Sequence, residues 1–227
     1  MEQPVSELDL IRWSEALAGI ARTGLGFTES LYERERYEEV LKVAADIRVA
    51  ATDGCPPGPE IVSEWVSSVG SGVAGYVTPK VAVGAVVGND RGEILLLQRG
   101  DSGLWLYPTG WADIGYSASE VAVKEVAEET GILAEPVRLI GVLDGQRFGS
   151  RSLPFYSVVF QLRALGGELA PHPLEARRVG WFSRDALPEP LAGPERWVDL
   201  AFAAIGGEPL EPLFDPPRSE TWRRGAG

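Results

Sequence analysis

Residues 110–132 read GWADIGYSASEVAVKEVAEETGI. The part from Ser117 to Thr130 has the make-up of a helix, and Gly131 ends it. Glu125, Glu128 and Glu129 stand at i, i+3 and i+4, so their carboxylates share one face. Like charges at that spacing repel and weaken an isolated helix. The cluster is tolerable where a divalent cation neutralises it. All-oxygen sites suit Mg2+ or Mn2+, which keep waters and bridge to substrate phosphates. Such an ion polarises a phosphoryl oxygen, and a nearby carboxylate can activate a water. A lone Glu-x-x-Glu-Glu triplet is more often a solvated acidic face. Here its context sets it apart: a Gly-containing loop before it, Gly131 after it and a strand hairpin upstream.

Outward from this stretch the chain divides in two. Residues 5–52 read as helix. Leu8, Leu10, Ile11, Trp13, Leu17, Ile20 and Ala21 recur at helical spacing until Gly24 and Gly26 interrupt them. A second helix is expected from Ser30 to about Ala50, stopped by the proline cluster after Cys55. A short third helix, about Glu60 to Ser68, precedes a Gly-rich segment, Gly70 to Gly75. From Tyr76 the texture changes. Lys80–Val87 and Glu93–Gln98 are Val/Ile/Leu-rich and flank a turn signal at Gly88–Gly92, which predicts a hairpin. Leu104–Tyr107 reads as a strand or as an extended entry to a loop. Val137–Leu143, Phe155–Leu165 and Val179–Phe182 read as strands, and Arg196–Ile205 as a last helix. The Pro-rich segment from Glu208 reads as a loose tail. The expected divisions are a helical module over 1–73, an α+β domain over 74–206 and a tail over 207–227.

Composition excludes several classes of function. The 227 residues carry 21 Lys and Arg against 33 Asp and Glu, a net charge of −12. That balance opposes binding to nucleic acid or to an anionic membrane surface. The single cysteine, Cys55, can form no disulfide within the chain, and the single histidine, His172, excludes two-histidine zinc sites. No basic stretch precedes an apolar run at the start, and the longest apolar run, Val81–Val87, is far short of the ~20 residues that span a bilayer. The expected compartment is the cytoplasm.

The central stretch resembles the signature of the Nudix hydrolase family, G-x5-E-x7-R-E-U-x-E-E-x-G-U, where U is a bulky aliphatic residue. Gly110, Glu125, Val126, Glu128, Glu129, Gly131 and Ile132 match at the required spacing. Tyr116 stands where the family has Glu, Lys124 where it has Arg, and Thr109 where it often has Gly. The resemblance covers about 76–190. It implies an α/β/α sandwich with a mixed sheet, and divalent-dependent cleavage of a nucleoside diphosphate linked to another moiety. The helical segment, with Arg22–Leu25 and Tyr32–Glu39, resembles the extension of a Nudix subgroup that hydrolyses X-linked nucleoside diphosphates, such as CDP-choline or ADP-ribose. That resemblance implies a homodimer.

Roles follow from the resemblance residue by residue. Glu128 and Glu129 are the candidate metal ligands, and Glu125 is a ligand or orients the water. The main-chain carbonyl near Thr109–Gly110 completes the coordination. Lys124 is expected to hold a carboxylate through one ammonium where Arg offers a planar fork. Glu175 is a candidate additional metal-binding or basic carboxylate, with a solvated loop Glu as the equal alternative. Candidate substrate-binding groups are Trp105, Tyr107, Trp111 and Arg147. Phe148, Tyr156, Arg151, Lys80 and His172 have open roles, and Phe155 is assigned to the core. The departures at Thr109, Tyr116 and Lys124 leave open a non-catalytic nucleotide-derivative binder. An isoprenyl diphosphate isomerase is disfavoured, because Cys55 precedes the second domain.

Overall fold

A computed structural model describes residues 5–52, 55–69, 77–113, 115–148, 154–193 and 196–217. The segment Gly70–Gly75, Arg151 and the last ten residues lie outside the described residues. The chain splits into two compact units, Met1–Pro79 with Arg151–Pro154, and Lys80–Ser150 with Phe155–Gly227. Among the described residues there are five α-helices and eight strands. None of the described helices is long and apolar enough to cross a membrane.

The first unit is built on α1 (Glu7–Phe27), α2 (Leu31–Ala51) and α3 (Gly58–Ser67). Ser6 and Asp9 form a reciprocal capping box at the start of α1. The Ser30 hydroxyl accepts the Glu33 N–H at the start of α2. The core is rich in alanine: Ala18 and Ala21 meet Leu41, Ala44 and Ala45, with Ile61 and Trp65 from α3. Small side chains let the backbones approach closely, and the Ser14 hydroxyl donates to the Ala44 carbonyl at 2.7 Å. The sequence suggested that Gly24 breaks the first helix. Instead α1 runs through it, and the Tyr37 ring lies 2.2 Å from where a Cβ at Gly24 would sit. The glycine serves packing between helices, not helix termination.

The second unit is a mixed sheet between two helices. Its strands are β1 (Lys80–Gly88), β2 (Ile94–Arg99), β3 (Trp105–Leu106), β4 (Thr109–Trp111), β5 (Ile132–Asp144), β6 (Phe155–Gly167), β7 (Ala176–Phe182) and β8 (Leu213–Phe214). The order β3-β2-β1-β6-β5-β8 forms the main path, with β4 paired to β1 and β7 to β2. β1 runs parallel to β6 over its whole length, and the remaining long pairings are antiparallel. The run Ile94–Leu97 is buried throughout because both faces of the sheet are covered. Val83, Ala85, Val87 and Leu95 pack against α4 (Ala118–Thr130). Val86, Ile94 and Leu96 pack on the other side against α5 (Arg196–Ile205). The arrangement is the expected α/β/α sandwich.

Two stretches differ from the sequence reading. β5 starts at Ile132, directly after Gly131, five residues before the expected strand. Pro136 cannot donate to the ladder, and the register shifts around it, which accommodates the proline. The segment after Glu208 is not loose as far as it is described. Leu213–Phe214 pairs in parallel with Gly141–Val142. The Arg138 guanidinium donates to the carbonyls of Ala204 and Glu208, and the Asp144 N–H donates to the Asp215 carboxylate.

The turn from α4 into β5 is made at Gly131, with φ of 75°. A Cβ there would lie 2.4 Å from the Glu168 carbonyl oxygen. Left-handed backbone disfavours side chains by ~1–2 kcal/mol before any clash. Gly131→Ala is expected to lower stability by more than about 1 kcal/mol, read as a fall in the urea midpoint with unchanged slope.

Candidate active site

The acidic trio is positioned by the packing of α4. Ser117 and Glu120 form a capping box at its N-terminus, and Gly131 closes it. Val121, Ala122 and Val126 are fixed in the core, so the rotation of the helix is fixed as well. Glu129 follows that stripe inward and is 4% exposed. Glu125 is half-buried, and the Glu128 side chain is 54% exposed.

Strand β4 meets this face of the helix. The Thr109 N–H donates to Glu129 Oε2 at 2.9 Å. At Gly110 the missing side chain matters: a Cβ would lie 2.2–2.6 Å from the Glu125 carboxyl atoms. Lys124 reaches two carboxylates, Asp113 at 3.0 Å and Glu128 at 3.1 Å. These partners push its ammonium pKa up. Burial raises the Glu129 carboxyl to about 7, with Glu125 and Glu175 adding to the rise; the Thr109 N–H and Arg99 oppose it. Burial also raises Glu125, which Lys124 partly counters, while Glu128, Glu175 and Asp113 reinforce the rise.

These groups line a cavity of about 760 Å³. Its lining includes the carboxylates of Glu125, Glu128, Glu129 and Glu175 and the rings of Tyr107, Trp111, Phe155 and Trp197. The Tyr107 and Trp197 rings meet edge to face at 5.3 Å, and Trp111 and Phe155 do so at 5.4 Å. Gly84 leaves space for the Tyr107 ring, which lies 2.6 Å from its would-be Cβ. Lys80 lies over the Trp111 ring at 5.5 Å.

Of the residues selected from sequence, Lys124, Glu125, Glu128, Glu129, Gly110, Glu175, Tyr107 and Trp111 line this cavity. Trp105 and Arg147 do not. Trp105 is 7% exposed in the core, edge-on to Phe182. Arg147 lies 3.8 Å from Asp144 and 3.9 Å from Asp215. Phe155, assigned to the core, lines the cavity instead, as the first residue of β6. Tyr116 and Tyr156 are about half exposed and line nothing here. The Phe148 side chain lies outside the described residues.

Sequence reasoning missed Arg99, Asp101, Asp113 and Trp197, which also line the cavity. Arg99 and Asp101 form a two-pronged ion pair at 3.0 and 2.7 Å. The available signal for Arg99 was a charged residue ending an otherwise apolar strand. For Trp197 it was a tryptophan on the inner face of a strongly amphipathic helix.

The donor chemistry of the acidic wall, carboxylates alone, fits a hard divalent cation. Mutual repulsion among Glu125, Glu129 and Glu175 is what such an ion relieves. Among the described residues, no group of three or more acidic, histidine or cysteine side chains stands at metal-holding geometry. Glu128 is paired with Lys124 through one carboxylate oxygen, so the other is the one it could offer a cation.

Comparison with known proteins adds to this geometry. Residues 78–201 match the NUDIX domain family. Residues 9–56 match the family described as the UDP-X-like, N-terminal oligomerisation domain. YjhB of Bacillus subtilis (strain 168), whose ADP-ribose pyrophosphatase name is provisional, is 33% identical over 89% of this chain and 95% of its own. The crystal structure of a UDP-X diphosphatase covers 93% of this chain and all of its own, with TM-score 0.55 and 28% identity. That of an ADP-ribose pyrophosphatase from Streptococcus suis 89-1591 covers 61% of this chain and all of its own, with TM-score 0.53 and 36% identity.

The buried Glu129 carboxyl has a consequence for stability. Between the ordinary 4.5 and about 7 the unfolded chain gives up this proton and the folded chain keeps it. Stability of the cation-free protein therefore falls as pH rises through that window. Glu129→Gln removes the penalty and keeps an oxygen for the Thr109 N–H. In EDTA at pH 8 the variant is expected to be more stable by about 1–3 kcal/mol. At pH 4 the advantage should vanish in the same denaturant titration.

Proposed function

This chain is a Nudix hydrolase, and on that premise we propose that it cleaves the diphosphate bridge of a nucleoside diphosphate carrying a second organic group. ADP-ribose, CDP-choline and UDP-linked compounds are the substrate class. The observation that carries this reading is a single cavity lined by four Glu carboxylates and four aromatic rings. An acidic wall alone would repel a diphosphate. Hence the reading includes Mg2+ or Mn2+, held by Glu125, Glu128 and Glu129 with the Gly110 main-chain carbonyl. When bound, the cation supplies the positive charge that polarises a phosphoryl oxygen and offsets charge developing on the bridge.

The chain's own residues do the remaining work. Glu175 takes a proton from water as the water oxygen bonds to phosphorus. The bridging P–O bond breaks, its oxygen keeps the electron pair, and a nucleoside monophosphate and a phosphorylated second group leave. Lys124 ties Asp113 and Glu128 together, which anchors the loop after β4 to the helix. Tyr107 and Trp111 hold the ring portions of the substrate by apolar contact. The relatives named for ADP-ribose and UDP-X compounds support the substrate class.

Assay of the purified chain on ADP-ribose, CDP-choline and UDP-glucose, with and without Mg2+ or Mn2+, tests this. Nucleoside monophosphate release is expected only with cation. The Glu128→Gln, Glu129→Gln double variant is expected to lose at least ~100-fold in kcat. Absence of cation-dependent turnover on every compound, or full activity of the double variant, would refute the reading.

The chain also acts as a homodimer in this proposal, in the cytoplasm. Supporting it are the match of residues 9–56 to the oligomerisation family and exposed apolar groups on α1 and α2, among them Ile20 at 63% and Leu31 at 82%. Light scattering of the full chain is expected to give twice the chain mass. Ile20→Glu with Leu31→Glu should return it to one chain mass with its helical circular dichroism intact.

A further inference from the structure

The segment between β6 and β7 is anchored unusually well for a loop. The Ala170 N–H donates to the Thr130 carbonyl at 2.8 Å, and the His172 N–H to the Glu129 carbonyl at 3.2 Å. Both acceptors are at the end of α4. The His172 carbonyl in turn accepts from Glu175 N–H at 3.3 Å and Ala176 N–H at 3.0 Å. On the far side the Gly100 N–H donates to the Glu175 carbonyl at 2.7 Å, and the Arg177 guanidinium donates to the Gly100 carbonyl. The turn 172–176 is thereby fixed to the helix that carries the acidic trio and to the end of β2.

Within this turn the side chains of His172 and Glu175 lie on the same side, with Nδ1 3.8 Å from Oε2. The Nδ1 atom is buried and has no hydrogen-bond partner among the described residues. A buried imidazole nitrogen without a partner is unfavourable. The side chain is only about one third exposed, so water does not readily supply one. The Glu175 carboxylate, 3.8 Å away, is an acceptor that lines the cavity and is 59% exposed. Such an exposed Glu has many rotamers, and ordering it carries an entropic penalty.

We propose that His172 is a positioning residue for Glu175: its Nδ1–H donates to one carboxylate oxygen and aims the other into the cavity. The inference rests on the proposed role of Glu175 as the group that accepts the water's proton. A movement of under 1 Å at the Glu175 side chain closes 3.8 Å to hydrogen-bond distance. The backbone bonds around the turn keep His172 in place while that happens. His172 touches neither the substrate nor the reacting water. Its effect falls on kcat, through the fraction of time Glu175 points at the water.

A double-mutant cycle on the full chain tests this, using the best substrate of the panel above at saturating cation. Glu175→Gln is expected to reduce kcat by ~100-fold or more. His172→Ala is expected to reduce kcat by ~10-fold with little change in KM or in the cation concentration for half-activity. His172→Asn, whose side-chain amide places an N–H close to the Nδ1 position, should recover most of that loss. In the Glu175→Gln background His172→Ala should have no further effect. Equal losses from His172→Ala in both backgrounds, or no rescue by Asn, would overturn the inference. So would a loss that appears in KM or cation dependence alone. Full activity of Glu175→Gln alongside inactive Glu128 and Glu129 variants would overturn it too and leave the proposed hydrolysis standing. A wild-type chain inactive on the whole panel removes both.

Discussion

A carboxylate held out of water on a helix that cannot rotate is the constraint on which the second unit is organised. Burying a charge is strongly unfavourable unless something compensates. Glu129 is buried because Val121, Ala122 and Val126 lock the same face of α4 into the core. The compensation comes from a backbone N–H, that of Thr109, which β4 presents because it pairs with β1. Gly110 then has to be a glycine, since Glu125 occupies the space next to it. Gly131 has to be one too, since β5 must leave the helix end at once to join β6. Local sequence, packing and site geometry are here one problem with one solution.

The departures from the family signature become intelligible in these terms. An arginine fork would grip one carboxylate with two parallel bonds. Lys124 is a point charge on a long stem, and it sits between Asp113 and Glu128 at nearly equal distances. It thereby links the loop to the helix. Tyr116, where the signature has Glu, is 54% exposed and does not line the cavity. Its substitution leaves the carboxylates of the cavity wall untouched.

What the sequence made legible were features with short-range causes. Helical periodicity revealed α1 and α2, the glycine at 131 ended α4, and the turn Gly88–Gly92 announced the hairpin of β1 and β2. The Glu-x-x-Glu-Glu spacing showed the shared face of α4. What stayed hidden depends on distant partners. β4 and β8 are three and two residues long, too short to carry a period. The strand read as starting at Val137 begins at Ile132, and the bulged pairing of β5 with β6 accommodates Pro136. Arg99 and Trp197 reach the cavity only because β2 and α5 are packed where they are. Trp105 and Arg147 looked available as isolated residues. The first is claimed by Phe182 and the core, and the second by Asp144 and Asp215.

In the proposed reaction a cation joins carboxylates that repel one another without it. Anomalous diffraction from crystals of the full chain grown with Mn2+ tests that most directly. A strong anomalous peak within ligand distance of the Glu125, Glu128 and Glu129 carboxylates is the result expected. Mn2+ bound elsewhere, with the cavity wall unchanged at saturating metal, would contradict it.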